Sequence, residues 1–253
     1  MRHRFFLQGC FLVGSMWAAT QARASVIPYA VDSSQGNGAD TYVRGGTFAG
    51  DNFDAAPQLL VNNAGGDLSQ ASKAYIRFDL TQIPGWDGVG HNSMLQLPFM
   101  DTGTGTTPPT MAWNFALYAL RDGPAELFDP ATLNWNNAPA NDTGSASGVG
   151  DGAVTILRPF VIYGNGFGGI QISSPVVDQL LTDDTNGVVT FVVARDTAAA
   201  PGADYVHAIA APQEAFTGPL LVVAVPEPSA VAPALLALGA LHVAGARRAR
   251  RVK

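Results

Sequence analysis

The chain has 253 residues, with 14 Lys and Arg, 20 Asp and Glu, 28 Gly and a single Cys. Eight of the positive charges sit at the two ends (Arg2, Arg4, Arg23, Arg247, Arg248, Arg250, Arg251 and Lys253), so the body between them is about twice as negative as the formal −6 of the whole chain, which excludes a phosphate-backbone partner such as nucleic acid. Cys10 lies in an apolar N-terminal stretch and the body keeps only His91 and His207, which excludes thiol chemistry and a three-His metal centre there.

In chain order, Met1-Arg-His-Arg4 precedes an apolar run from Phe5 to Ala19, and Ala22-Arg-Ala24 follows it. A basic start, a short apolar core and small residues at an A-x-A site make a removable signal peptide over 1–24, with cleavage after Ala24 and export through the inner membrane. The body, 25–225, is long enough for one β domain. Lys73 to Asp79 alternates, with Ala74, Ile76 and Phe78 on one face and Tyr75, Arg77 and Asp79 on the other. Further strands are expected at Met94–Met100, Trp113–Arg121, Ala153–Tyr163, Gly187–Arg195, Asp204–Ala210 and Pro219–Val225, separated by Gly-, Pro- and Asn-rich turns. Pro98 has no N–H to donate, which puts its strand at an edge or a bulge. Gly164-Asn-Gly-Phe-Gly-Gly169 satisfies G-x-G-x-x-G, but strand-like Ile170-Gln-Ile172 follows it where a phosphate site needs a helix, so it reads as a turn. Ser174 with Pro175 caps one short helical turn up to Leu181. Many short strands with such loops point to an all-β fold, a single β-sandwich of the jelly-roll kind.

The C-terminal end, 226–253, has three ordered parts: Pro226-Glu227-Pro228, an uncharged stretch from Ala230 to Ala246, and Arg247-Arg-Ala-Arg-Arg251. As a helix the apolar stretch spans about 26 Å at ~1.5 Å per residue, enough for a short transmembrane helix whose Arg cluster stays cytoplasmic. The arrangement resembles the PEP-CTERM sorting signal. That resemblance implies recognition by a membrane exosortase, removal of the helix and delivery to the cell envelope or outer surface; an ordinary tail anchor would keep the helix.

Three stretches of the body together resemble the opening of the DNRLRE domain, the group that includes carbohydrate-binding module family 96. They are Asp40-Thr-Tyr-Val-Arg-Gly-Gly46, Asn52-Phe-Asp-Ala-Ala-Pro57 with Leu59-Leu-Val-Asn62, and Lys73-Ala-Tyr-Ile-Arg-Phe-Asp-Leu80. Later, Leu133-Asn-Trp-Asn-Asn-Ala-Pro139 is similar to the family's Trp-Asn-Asn-Ala-Pro stretch, with Asn134 in place of the usual Thr or Ser. The resemblance runs over roughly 28–225. It implies a β-sandwich and non-catalytic binding of a polysaccharide, so a module standing alone on an exported chain would attach to exopolysaccharide or biofilm matrix.

Tyr42, Arg44, Lys73, Tyr75 and Arg77 are the candidate carbohydrate-binding residues. Within each strand the Tyr and the basic residues share a face, and adjoining strands would form an aromatic and basic patch suited to an acidic polysaccharide. The other reading packs the Tyr rings in the sandwich and pairs the Arg residues with neighbours. Asp40, Asp51 and Asn52 offer hard oxygen ligands to calcium, the one cofactor the composition suggests, against a simple solvated acidic loop. A structural, calcium-stabilised matrix protein, a lyase built on Tyr205 with His207 or His91, and a hydrolase using a pair of the body's carboxylates are the remaining alternatives.

Overall fold

The computed structural model describes residues 26–226 apart from 67, 87, 91 and 213–217, and Val26–Pro226 forms one compact unit. The signal peptide with Ala24, Glu227 and Pro228 with the sorting helix, and His91 lie outside the described residues. Among the described residues no helix is long and apolar enough to cross a membrane.

Twelve strands build the unit: Val26–Asp32 (β1), Ala39–Arg44 (β2), Gln58–Val61 (β3), Ser72–Asp79 (β4), Met94–Leu97 (β5), Phe99–Met100 (β6), Ala112–Leu120 (β7), Ala153–Tyr163 (β8), Ile170–Ser173 (β9), Val188–Arg195 (β10), His207–Ala210 (β11) and Leu220–Pro226 (β12). They pair antiparallel in three sheets, β1-β12-β5-β9, β2-β4-β10-β7-β8 and β3-β11-β6. With β1, β4, β5, β7, β8, β9, β10 and β12 counted from one to eight, the two larger sheets read 1-8-3-6 and 2-7-4-5, the winding expected of a jelly roll. Pro98 separates β5 from β6, and the chain changes sheet there: without an N–H, it cannot continue the ladder of the sheet it leaves. The helix Pro175–Asp183 (α1) starts as expected, its N-cap Ser174 side chain accepting from the Val176 N–H.

One core lies between the sheets, filled by Ile76, Phe78, Trp113, Phe115 and Phe191 of the five-stranded sheet against Leu59, Leu95, Phe99, Ile209 and Val223 of the other two. The opposite face of the five-stranded sheet is buried as well. The segment between β7 and β8 folds back over it and sets Phe128, Leu133 and Trp135 against Val43, Tyr75, Tyr118 and Val192. Every residue of β4 and of β10 is therefore buried, although β4 alternates polar and apolar in sequence.

Candidate functional site

The register of β2 on β4 decides the fate of the expected patch. Tyr42 stands opposite Ala74 and Arg44 opposite Ser72, while Thr41 is opposite Tyr75 and Val43 opposite Lys73. Directly opposed residues in an antiparallel pair share a face. Tyr42 and Arg44 therefore point to one side of the sheet and Lys73, Tyr75 and Arg77 to the other, so the strands adjoin but the patch does not form.

Lys73, Tyr75 and Arg77 lie instead beneath the β7–β8 segment and hold it down by its carbonyl groups. Lys73 Nζ donates to Asn141 Oδ1 at 2.7 Å and to the carbonyls of Gly148 at 2.6 Å and Asp142 at 3.2 Å, and it sits 4.5 Å from the centre of the Trp135 ring. The Tyr75 hydroxyl donates to the Pro139 carbonyl at 3.0 Å, and Arg77 donates to the carbonyls of Asn37, Glu126 and Phe128. A cation taken out of water is tolerated where its donors find acceptors, and here three groups accept from Lys73 and three carbonyls from Arg77. Burial nevertheless pulls the Lys73 ammonium down to about 8. Two of the stretches that carry the family resemblance, around Tyr75 and around Trp135, are thus the two halves of one packing contact.

On the other side, Tyr42 is buried and stacks on Phe53 at 4.4 Å between ring centres. Arg44 is half-buried: it lies 3.9 Å from the centre of the Phe48 ring and donates to the Ser69 carbonyl and to Gln70 Oε1. It lines a depression of about 260 Å³ with Gln58, Asn62, Gln70, Thr102 and Thr104, which contains no aromatic side chain.

Two of the three calcium candidates, Asp40 and Asn52, are engaged by other groups of the protein. Asp40 is buried, with Oδ2 accepting from Ser33 Oγ at 2.9 Å, and burial pushes its carboxyl up to about 6. Asn52 spends its amide nitrogen on the carbonyls of Pro130 and Leu133 and its oxygen on the Asp54 N–H, while Asp51 is exposed. Among the described residues, the carboxylates that converge are Asp122, Glu126 and Asp184, with oxygens within 4.8 Å of one another. Asn186 Nδ2 bridges Asp122 and Glu126, the Thr190 N–H bonds Glu126, and the Gly187 N–H bonds Asp184.

His207 has no exposed surface and is ringed by Phe99, Trp113, Phe115 and Tyr205. Arg195, equally buried, can only donate, so its NH1 at 3.2 Å makes His207 Nδ1 the acceptor and leaves Nε2–H to donate to the Gly164 carbonyl at 3.1 Å. Desolvation first, and then the Arg195 charge, hold this imidazole down to about 4. Both ring nitrogens are committed to the scaffold, and no proton-transfer role at a substrate is open to them.

Exposed aromatic surface appears elsewhere. Tyr163, 65 % exposed at the end of edge strand β8, and Phe167, 76 % exposed in the following turn, stand over the segment that follows β6. The Gly-rich run makes this possible, because Gly166 and Gly169 adopt φ of +71° and +81°, and a Cβ at Gly169 would lie 2.4 Å from the Leu97 carbonyl oxygen. Between the two rings Asp101 Oδ1 accepts from the Tyr205 hydroxyl at 2.6 Å and from the Gly103 N–H at 2.9 Å, while Asn165 Oδ1 accepts from the Phe167 N–H. A depression of about 410 Å³ includes Tyr163, Asn165, Asp101 and Tyr205, and a second of about 330 Å³ includes Asp101, Met100 and Phe167. A third, about 460 Å³, continues from Pro98 and Gly168 past Gln96 and Gln171.

Asp101 lines both the first and the second depression, and Pro98 and Gly168 line both the second and the third, so the three border one another in series along a trough. Aromatic faces beside amides and a carboxylate are what a sugar ring needs for its apolar face and its hydroxyls. None of these residues is among the five expected from the sequence. The signal was present: Tyr163 follows Val161 on the outward phase of β8, and Phe167 is a large apolar residue in a turn of Gly and Asn.

No curated protein matches the chain. Residues 32–151, which contain β2 to β7 and the segment covering the five-stranded sheet, match carbohydrate-binding module family 96, and over that stretch the chain is similar to that family.

Proposed function

We propose that this protein is a non-catalytic carbohydrate-binding module, exported through the inner membrane, sorted by an exosortase through its C-terminal segment and held at the envelope surface on polysaccharide or matrix. The observation that carries the binding reading is the trough between Tyr163 and Phe167, two exposed rings with Asp101 and Asn165 between them, on a chain whose residues 32–151 match a carbohydrate-binding family. Export and sorting rest on the sequence patterns at 1–24 and 226–253.

Affinity electrophoresis in gels containing a panel of neutral and acidic polysaccharides tests the binding. Retardation by at least one polymer, weakened in Tyr163→Ala with Phe167→Ala, supports it; unchanged mobility in all of them overturns it. Mass spectrometry of the exported chain tests the sorting: a mature form starting at Ser25 and lacking the Arg247–Arg251 cluster is expected, and retention of that cluster would favour a permanent anchor.

A further inference from the structure

The carbohydrate reading leaves the class of sugar open, and the placement of charge in the molecule narrows it. The described unit has six Lys and Arg side chains, and none of them lines the trough. Lys73, Arg77 and Arg195 are buried and donate to carbonyls or amides. Arg158 makes a two-pronged pair with Asp196, at 2.8 and 2.9 Å. Arg121 follows Leu120, which pairs with Ala153, whereas Tyr163 pairs with Ala112 at the other end of the nine-residue β7. That separation is about 30 Å at ~3.3 Å per residue. Arg44 lines the depression without an aromatic ring and none of the three that form the trough.

The charged group that the trough does contain is a carboxylate. Asp101 is exposed, and its hydrogen bonds from the Tyr205 hydroxyl and the Gly103 N–H hold it below the usual carboxylate range, so it is an anion at neutral pH. Asn165 beside it is neutral, and so are Gln96 and Gln171, which stand directly opposite each other on the paired strands β5 and β9 and line the third depression. A sugar hydroxyl can donate to Asp101 and exchange hydrogen bonds with the amides. A uronate carboxylate would meet a like charge with no Arg or Lys to offset it, at a surface where the whole domain is acidic.

We propose that the trough binds a linear neutral polysaccharide, hexose units carrying neither carboxylate nor sulfate, stacked on Tyr163 and Phe167 across the three linked depressions. This rests on the carbohydrate-binding reading above and departs from the acidic polymer that an exposed Arg and Lys patch would have favoured.

The test is affinity electrophoresis of the Val26–Pro226 unit, produced without its two ends, in gels of neutral β-glucan, mannan and dextran and in gels of alginate and polygalacturonate, each with and without a chelator. Circular dichroism and a cooperative melt confirm that the unit and its variants are folded. Retention by a neutral polymer, at least tenfold weaker in Tyr163→Ala or Phe167→Ala and unchanged in Arg44→Ala, is expected. Retention by the uronate polymers alone, or retention abolished by Arg44→Ala, overturns the neutral trough but keeps a carbohydrate-binding protein. A folded unit that no polymer retains overturns both.

Discussion

Tyr42 and Tyr75 stand on neighbouring, directly paired strands and face opposite sides of the same sheet, because Tyr42 is in register with Ala74 and Tyr75 with Thr41. One ring stacks on Phe53, and the other reaches under the β7–β8 segment to the Pro139 carbonyl. The two basic-aromatic strands that resemble a binding motif in sequence are therefore scaffold, and substitutions in them should read out as stability.

Lys73→Met removes a buried donor to three acceptors and the cation above Trp135. Leaving those acceptors unpaired should cost about 2–4 kcal/mol. Urea denaturation should show a lower midpoint, and a midpoint within 0.2 M of wild type would refute the stapling role. In a double-mutant cycle with Trp135→Leu the two losses should be less than additive, because each side chain holds the same segment.

Tyr163→Ala and Phe167→Ala should do the opposite. Both side chains are largely exposed, so removal should change stability by no more than about 0.5 kcal/mol while weakening retention on the polymer that binds. Thermal melts run alongside the gels separate the two effects.

Glu126 is buried beside Asp122 and Asp184, and desolvation pushes its carboxyl up to about 7 from 4.5. Between those values the folded state holds a proton that the unfolded state has released, so this group's contribution to stability falls as pH rises through that window. The slope is at most about 1.4 kcal/mol per pH unit. Glu126→Gln does not titrate, and its melting temperature relative to wild type should climb by several degrees from pH 4.5 to 7.5. A constant offset between the two proteins would contradict the shift.

For His207 the sign is reversed. Its folded value, down at about 4 against 6.5 unfolded, means the unfolded state takes up the proton first, and stability from this group is lost as pH falls from 6.5 towards 4. NMR of the imidazole should show the Nε2–H tautomer and no titration above pH 5. A midpoint near 6.5 would mean that the ring reaches solvent.

Much of the scaffold was legible in the residues. The alternation around Ile76 gave β4 its core face and Ser174 with Pro175 gave the start of α1, whereas Pro98, expected at an edge or a bulge of one strand Met94–Met100, instead divides that stretch into β5, inside its sheet, and β6 of another sheet. Strand β3, four residues long, and β1, which before Asp32 runs apolar through Pro28 without alternation, carry too little period-two signal to stand out beside the turns that flank them. The calcium candidates were close in sequence, but Asn52 faces carbonyl groups 78 and 81 residues away, a relationship that local spacing does not encode.

By itself the sequence determined an all-β chain with an acidic body, no thiol in that body and six cations in it, because these follow from composition and from a periodicity each strand carries alone. What the tertiary structure decided was which face each cation occupies. Register is a property of two strands together, and a shift of one residue moves every side chain to the other side of the sheet. A distant segment then decides whether that side is surface or core, as Trp135 does for Lys73 and Tyr75. The same physics leaves Tyr163 and Phe167 in solvent: among the described residues nothing is folded over this edge strand and Gly-rich turn, and the surface available for a ligand is the part that no other segment covers.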